Sequence, residues 1–217
     1  MSVQTVKPSA EALKKPYLLI DAANDTLSLA VISDGVIHAE FSEAVYRDMA
    51  ARLQPEILNV LQSAQMQWSE LEAVLFNEGP GSFTSIRIGL AAAKALELSL
   101  GLKLCGLNGM QALAEPHFNQ GKPVLVVLQA VGQDVYSQAF AEDGTPLSEP
   151  VAQPLPETLA AAPTGALIVG DMPEAHVQKN TATANSFWQL FAGGHATTPP
   201  KPAYVRPLTY KKVAAQG

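Results

Sequence analysis

The run YLLIDAA, residues 17–23, is apolar at nearly every position and predicts a strand buried on both faces. Asn24–Asp25 then predicts a turn, and TLSLAVIS, residues 26–33, a second strand. Asp34–Gly35 is a strong two-residue hairpin signal, so VIHAEF, residues 36–41, reads as a third strand. From about Tyr46 to Gln65 the residues Met49, Leu53, Ile57, Val60, Leu61 and Ala64 recur at helical spacing. Pro55 lies inside that pattern and is expected to kink the helix or tighten one turn. AVLFNEG, residues 73–79, predicts a fourth strand, followed by a loop and a second helix that ends near Leu100, where Gly101 supplies a C-terminal stop. KLCGL, residues 103–107, predicts a short strand, and Asn108 can cap a helix from Gly109 to Glu115.

Strands, helix, strand, helix and strand in this order describe an α/β lobe with a mixed sheet. A second lobe is expected from Lys122, where PVLVVLQA and DVYSQAFAE read as paired strands. Residues 150–163 are proline-rich with room for one short helix; ALIVG, residues 166–170, reads as a strand and residues 185–191 as a helix. The prolines of PPKPAYVRPLTYKK exclude a helix and predict an extended tail. The expected division is a flexible extension over residues 1–16, a first lobe over 17–118 and a shorter second lobe over 119–217.

With 217 residues, 47% hydrophobic and 16% charged, the composition is that of a globular protein with ample length for a packed core. No apolar run is long enough to span a bilayer, and MSVQTVKPSAEALKKP lacks the apolar core of a signal peptide, so no membrane and a cytoplasmic location are expected. The single Cys105 excludes an internal disulfide and a thiolate metal cluster. The net charge is −6, and Lys14–Lys15 and Lys211–Lys212 are only pairs at the two ends. Polyanion binding gains affinity from clustered Lys and Arg, so any work on RNA would place the RNA on another subunit.

The stretch NEGPGSFTSIRIGLAAAKAL, residues 77–96, raises the question of a phosphate grip. A nucleotide-binding G-x-x-x-x-G-K-[ST] loop needs a lysine that is missing, and a dinucleotide fingerprint needs a third glycine where Thr84 stands. Strand, loop and helix could still aim N–H groups at an anion near Ser82–Thr84. The other reading is a tight turn with Ser82 or Thr84 as N-cap, and the missing lysine and glycine weight the balance toward the turn. The helix beyond it has one apolar face of Ile86, Leu90, Ala93 and Leu100 and another of Ile88, Ala92, Ala95 and Ser99. Arg87, Lys94 and Glu97 leave only a narrow polar stripe. A helix covering one sheet needs an apolar arc of roughly 100°. This helix is therefore either buried inside its own domain or shared between the sheet and a partner, with Gly89, Ala92 and Ala95 permitting close approach; the second reading is favoured.

GPGSFTSIRIG, residues 79–89, resembles the GPGSFTGxRIG signature of the TsaB family, also called YeaZ. LLIDAANDTLSLAVISDG resembles that family's first hairpin, RDMAARLQPEIL (residues 47–58) its first helix with the internal Pro55, and PAYVRP (residues 202–207) its terminal P-x-Y-[LV]-R. The resemblance covers residues 17–115 well and the rest thinly. It implies an actin-like, Hsp70-like (ribonuclease H-like) ATPase fold of class α/β, with two lobes of mixed sheets and the second lobe shortened. It implies work in making threonylcarbamoyladenosine on tRNAs that read ANN codons, as the non-catalytic partner of a TsaD-like subunit that carries the metal and the transfer chemistry. A TsaE-like ATPase would join them, and tRNA would be met only indirectly. Pairing, as a homodimer or with TsaD, would use the two helices of the first lobe. The residues expected at that interface are Met49, Leu53, Ile57, Ile86, Gly89, Leu90, Ala92 and Ala93. The signature loop comprises Gly79, Pro80, Gly81, Ser82, Phe83, Thr84 and Arg87, with Arg87 pairing with an acid of the partner or anchoring the loop.

The residues themselves offer little chemistry. The first turn, Asp21-Ala22-Ala23-Asn24, lacks the glycine and hydroxyls with which actin-like ATPases hold phosphate, and Asp21 is left to cap a turn. His38, His117, His176 and His195 are scattered, with no i, i+4 pair for a TsaD-type metal site. The wider family was once grouped with M22 glycoproteases, but Ser82 stands in G-x-G-S-F rather than G-x-S-x-G, with no His or acid placed to activate it. No catalytic residue, cofactor or metal is expected. The chain departs from the family pattern at Met49, where His is usual, at Ser85, where Gly is usual, and over residues 129–136, where Gln129 and Val131 replace the Asp and Arg of D-A-R-x-x-E-V-Y. The rival expectation is a degenerate actin-like ATPase or sugar-kinase relative that holds ATP between the lobes.

Overall fold

The computed structural model describes residues 3–130, 132–172 and 177–205. The first part of the chain forms β1 (Gln4–Val6), α1 (Ala10–Leu13), β2 (Tyr17–Asp21), β3 (Thr26–Ser33), β4 (Val36–Ala44), α2 (Met49–Ser63), β5 (Ala73–Asn77), α3 (Phe83–Leu100), β6 (Lys103–Leu107) and α4 (Gly109–Ala114). The remainder forms β7 (Val124–Gln129), β8 (Asp134–Phe140), β9 (Val151–Pro154), α5 (Leu155–Ala160), β10 (Leu167–Gly170), β11 (Gln178–Lys179), α6 (Ala184–Gly193) and β12 (Ala196–Thr198). No described helix is long and apolar enough to cross a membrane.

Two mixed sheets result. The larger runs β1-β12-β6-β5-β2-β3-β4 and the smaller β11-β10-β7-β8-β9. The expected opening hairpins are present: β2 pairs antiparallel with β3, and β3 with β4, while β2, β5 and β6 run parallel. The β3–β4 turn has Asp34 at φ 50° and Gly35 at φ 76°, the left-handed pair that a tight hairpin needs. The period-2 alternation of β2 divides its side chains between two cores. Leu18 and Ile20 face the core shared with α2 and α3, and Tyr17 and Leu19 face the core shared with α6.

The division into segments differs from the sequence expectation at both ends. The expected flexible extension over residues 1–16 contributes β1 to the larger sheet, antiparallel to β12. The reason is local anchoring: the Tyr17 hydroxyl donates to the Ala12 carbonyl at 3.2 Å, the Asp34 amide donates to the Leu13 carbonyl at 2.7 Å, and Val6 and Leu13 pack on the α6 core. The expected second lobe over 119–217 is likewise shorter than drawn. Phe187, Trp188, Leu190 and Phe191 of α6 pack on the larger sheet, with the Tyr17 and Phe191 ring centroids 4.7 Å apart, and β12 pairs with β6. Four aromatic or large apolar side chains in ten residues had nowhere to be buried on the small sheet alone, and the chain returns to the first lobe to bury them.

α2 runs on through Pro55, beginning with a single 3-10 turn over Tyr46–Asp48. α3 is capped as expected, by the Ser82 side chain at its start and by Gly101 in the left-handed conformation, φ 69°, at its end.

Candidate functional site

The signature loop turns the chain from β5 into α3 and uses its own polar groups to do so. The Gly79 amide donates to Asn77 Oδ1 at 2.8 Å, and the Ser82 amide donates to the Ala23 carbonyl at 2.7 Å. Ser82 Oγ accepts from the Ser85 amide at 3.3 Å and from the Ser85 hydroxyl at 2.9 Å. Ser85 is therefore not a neutral departure from the family's glycine: its hydroxyl joins the cap. A Cβ on Gly81 would lie 2.0 Å from the Ala23 carbonyl oxygen, and Gly79 sits at φ 92°, so both glycines answer to backbone geometry. The Gly79, Ser82 and Ser85 amides and the Ser85 hydroxyl are thus spent on the turn and the cap. Ser82 Oγ, as a helix cap without a His or carboxylate partner among its bonds, is a structural group.

Beside the loop, a cleft of about 240 Å³ opens between the two sheets, lined among others by Asp21, Asn24, Asn77, Asp171, Asn180 and Thr181. Asp21 Oδ1 accepts from the Ala23 amide at 3.1 Å and from Asn77 Nδ2 at 2.8 Å, which is the turn cap expected of it. Burial pushes its carboxyl above the ordinary carboxylate range, against the opposing pull of those two bonds. Asp171 Oδ1 accepts from the Gln129 amide at 2.7 Å. Among the described residues no Lys, Arg or His lines the cleft.

The structure adds a carboxylate that sequence reasoning passed over. Glu78 is only 9% exposed. Its Oε1 accepts from the Lys201 amide and, at 3.0 Å, from the Thr197 hydroxyl, while its carbonyl accepts from the Ala203 amide at 2.8 Å. Gly106 leaves the room: a Cβ there would lie 2.0 Å from Glu78 Oε1. The available signal was an acid closing an apolar strand, directly before Gly79. Burial holds the Glu78 carboxyl above its usual 4.5, opposed by its hydrogen bonds and by the Lys201 charge. An acid raised on folding contributes stability that is fully present below its unfolded value and is lost as pH rises through the folded one. Relative to wild type, Glu78→Gln, whose amide oxygen keeps both accepted bonds, should therefore gain stability as pH rises from 4.5 to 8. Thermal melts of the two proteins across that range check this, and parallel curves would exclude it.

Helices α2 and α3 lie side by side on one face of the larger sheet, and the burial of their side chains corrects the expected interface. Met49, Leu53, Ile57, Ile86, Gly89 and Ala93 are buried in this chain's own core. The face of each helix at these positions is the one that covers the sheet, although Ile57 also lines the groove between the two helices. Leu90 and Ala92 are half-buried. Met49, found where the family has His, is accordingly a core residue at 2% exposure. What α3 turns outward is a different stripe, Arg87, Ala91, Ala95 and Leu98, with Leu98 84% exposed. Beside it a groove of about 280 Å³ runs between the helices, lined by Leu58, Trp68, Ala92, Ala95, Leu96 and Ser99 among others, and Leu58 is 46% exposed.

The described histidines stay apart. His38 bonds Ser33 at 2.7 Å, His117 meets Asn180 at 3.2 Å and His195 meets Gln111 at 3.1 Å. Burial lowers the pKa of His117. No group of three His, Cys, Asp or Glu fit for a metal occurs among the described residues. His176 and Val131, and Arg206 and Pro207 of the tail motif, lie outside the described residues.

Residues 27–161 match the family model described as TsaD: tRNA N6-adenosine threonylcarbamoyltransferase. The chain belongs to this family. It is 30% identical over 128 residues to the tRNA threonylcarbamoyladenosine biosynthesis protein TsaB of Escherichia coli strain K12, covering 58% of this chain and 55% of that one. It is 33% identical over 130 residues to TsaB of Buchnera aphidicola subsp. Schizaphis graminum, covering 59% and 61%. The chain thus spans a little over half the length of the curated relatives it matches. The solved structure of an uncharacterized protein with similarity to peptidase YeaZ from Pseudomonas aeruginosa superposes with a TM-score of 0.72 at 21% identity, covering 88% of this chain and all of that one. That likeness carries the α/β architecture of two mixed sheets, and the curated relatives bear the TsaB name that the signature loop had indicated.

Proposed function

We propose that this chain is a non-catalytic scaffold subunit of a tRNA threonylcarbamoyladenosine machine, docking on a TsaD-type subunit through the outward face of α2 and α3. The observation that carries the reading is Leu98, 84% exposed at the end of an outward stripe of Ala91 and Ala95, next to the groove lined in part by Trp68. A large apolar side chain held in water beside small ones that let another backbone approach is an association surface. The transfer chemistry belongs to the TsaD-type subunit, which holds most of the tRNA. A TsaE-type ATPase completes the assembly in the cytoplasm, and self-pairing through the same face is its form without a partner.

The rival reading, ATP held between the lobes, is disfavoured by charge. A polyphosphate would enter a cleft bearing Asp21 and Asp171 and would meet no described cation on its walls. Two measurements test the assignment. The tagged chain should retain the TsaD homologue of its own cell on co-purification, and deletion of its gene should remove the modified nucleoside from tRNA. Unaltered modification after deletion would exclude the scaffold. Micromolar binding of Mg-ATP to the isolated chain by calorimetry would favour the rival.

A further inference from the structure

The last acidic residue in the sequence is Glu174; beyond it come Lys179, Lys201, Arg206, Lys211 and Lys212. A chain of net charge −6 is thus acidic through most of its length and purely basic at its C-terminal end, an asymmetry of the kind that marks contact with polyanions. The described part of that basic end is held in a defined place. Glu78 anchors it, accepting from the Lys201 amide at its carboxylate and from the Ala203 amide at its carbonyl. One residue on, the Tyr204 ring packs on Phe83 with centroids 4.7 Å apart and planes at 52°, and the Arg87 guanidinium lies 5.0 Å over the other partner of that pair, Phe83. Tyr204 keeps 47% of its surface exposed. Arg87, Lys94 and Lys201 are exposed, and none of them forms an ion pair among the described residues. The Glu78 carboxylate is buried and feels the Lys201 charge, and Glu97 of α3 is half-buried.

We propose that the face formed by Tyr204, Phe83, Arg87 and Lys201 is a contact site for single-stranded RNA. An exposed aromatic ring offers a stacking surface to an unstacked base, and flanking cations neutralise phosphates; together they form the usual elements of single-strand recognition. On this face Arg87 and Lys201 supply the positive charge that a polyanion requires. In the tRNA-modification reading, this site adds a contact of the chain's own to the surface supplied by the TsaD-type subunit. The identity of the RNA rests on that reading; the binding does not.

Fluorescence anisotropy with a labelled tRNA anticodon stem-loop tests the site on the full chain. Binding should weaken from 50 to 200 mM salt with a log–log slope of about −2, as for roughly three neutralised phosphates. Tyr204→Ala should weaken it about tenfold, the low end of a stacking contribution, while Tyr204→Phe retains it. Arg87→Glu should weaken it and flatten the salt slope, with thermal melts confirming that all three variants fold. Absence of binding at 50 mM salt, or unchanged binding by Tyr204→Ala, would overturn the proposal. So would variants that lose capture of the TsaD-type subunit while binding RNA normally, since that assigns the face to a protein. The deletion experiment above reports on the modification reading separately: loss of the modified nucleoside on deletion with no RNA binding by the chain sinks the RNA site alone, and RNA binding with unaltered nucleoside after deletion sinks only the scaffold role.

Discussion

A chain carrying Leu98→Asp and Ala95→Glu should fold normally and fail to hold a TsaD-type subunit. Both positions are exposed, and Leu98 is 84% exposed, so neither substitution removes a buried contact. Surface changes of this kind move stability by about 0.5 kcal/mol or less, which for a chain of this length is a melting shift of under about 2 °C. At an interface the same changes place two carboxylates where an apolar side chain and a close helix approach were accommodated. Loss of a central apolar anchor alone costs about 2 kcal/mol or more, close to a thirtyfold fall in affinity, and two desolvated charges add to it. Co-purification should fall to background, and the tRNA nucleoside should disappear in a strain carrying only this variant. Retained capture at an unchanged melting temperature would exclude this face as the docking surface.

The choice of residues for that experiment shows where sequence reading succeeded and where it stopped. Strand β2, the Asp34–Gly35 hairpin, the Ser82 and Asn108 caps and the Gly101 stop were legible because each is decided within a few residues by side-chain period, turn chemistry or a cap. The signature loop was legible as a turn for the same reason. The apolar excess of α3 was also legible, but its orientation was not. Periodicity identifies faces of a helix without saying which one lies on the sheet. Ile86, Gly89 and Ala93 could as well have faced outward until the contacts with Ile20, Ala22 and Phe76 fixed the rotation. Glu78 and the return of β12 were hidden for a different reason. Their partners lie far along the chain, Thr197 and Lys201 for Glu78 and Gly106 of β6 for Thr197 of β12, and no local pattern announces a pairing of that span.

Gly89→Arg should give the opposite outcome to the Leu98 pair, loss of the fold rather than loss of the partner. A Cβ at Gly89 would meet Ala22 Cβ at 3.0 Å and the Phe76 ring at 3.1 Å, in the core between α3 and the larger sheet. Alanine there is nearly balanced: it gains about 1 kcal/mol of helix propensity over glycine and spends about 1–3 kcal/mol on crowding. Arginine carries that crowding further and brings a charge into surroundings of Ile20, Ala22 and Phe76, which offer it no counter-charge. A cost above about 4 kcal/mol is expected, a large part of the 5–15 kcal/mol that holds an ordinary domain together. The measurement is a thermal melt by circular dichroism on the three variants. Gly89→Arg should be insoluble or lack a cooperative transition, Gly89→Ala should melt within several degrees of wild type, and the Leu98 pair should be indistinguishable from wild type. The order reverses for partner capture among those that fold, because Gly89→Ala leaves the outward stripe untouched. If Gly89→Arg instead melts like wild type and loses only its partner, α3 presents to solvent the face assigned here to the core.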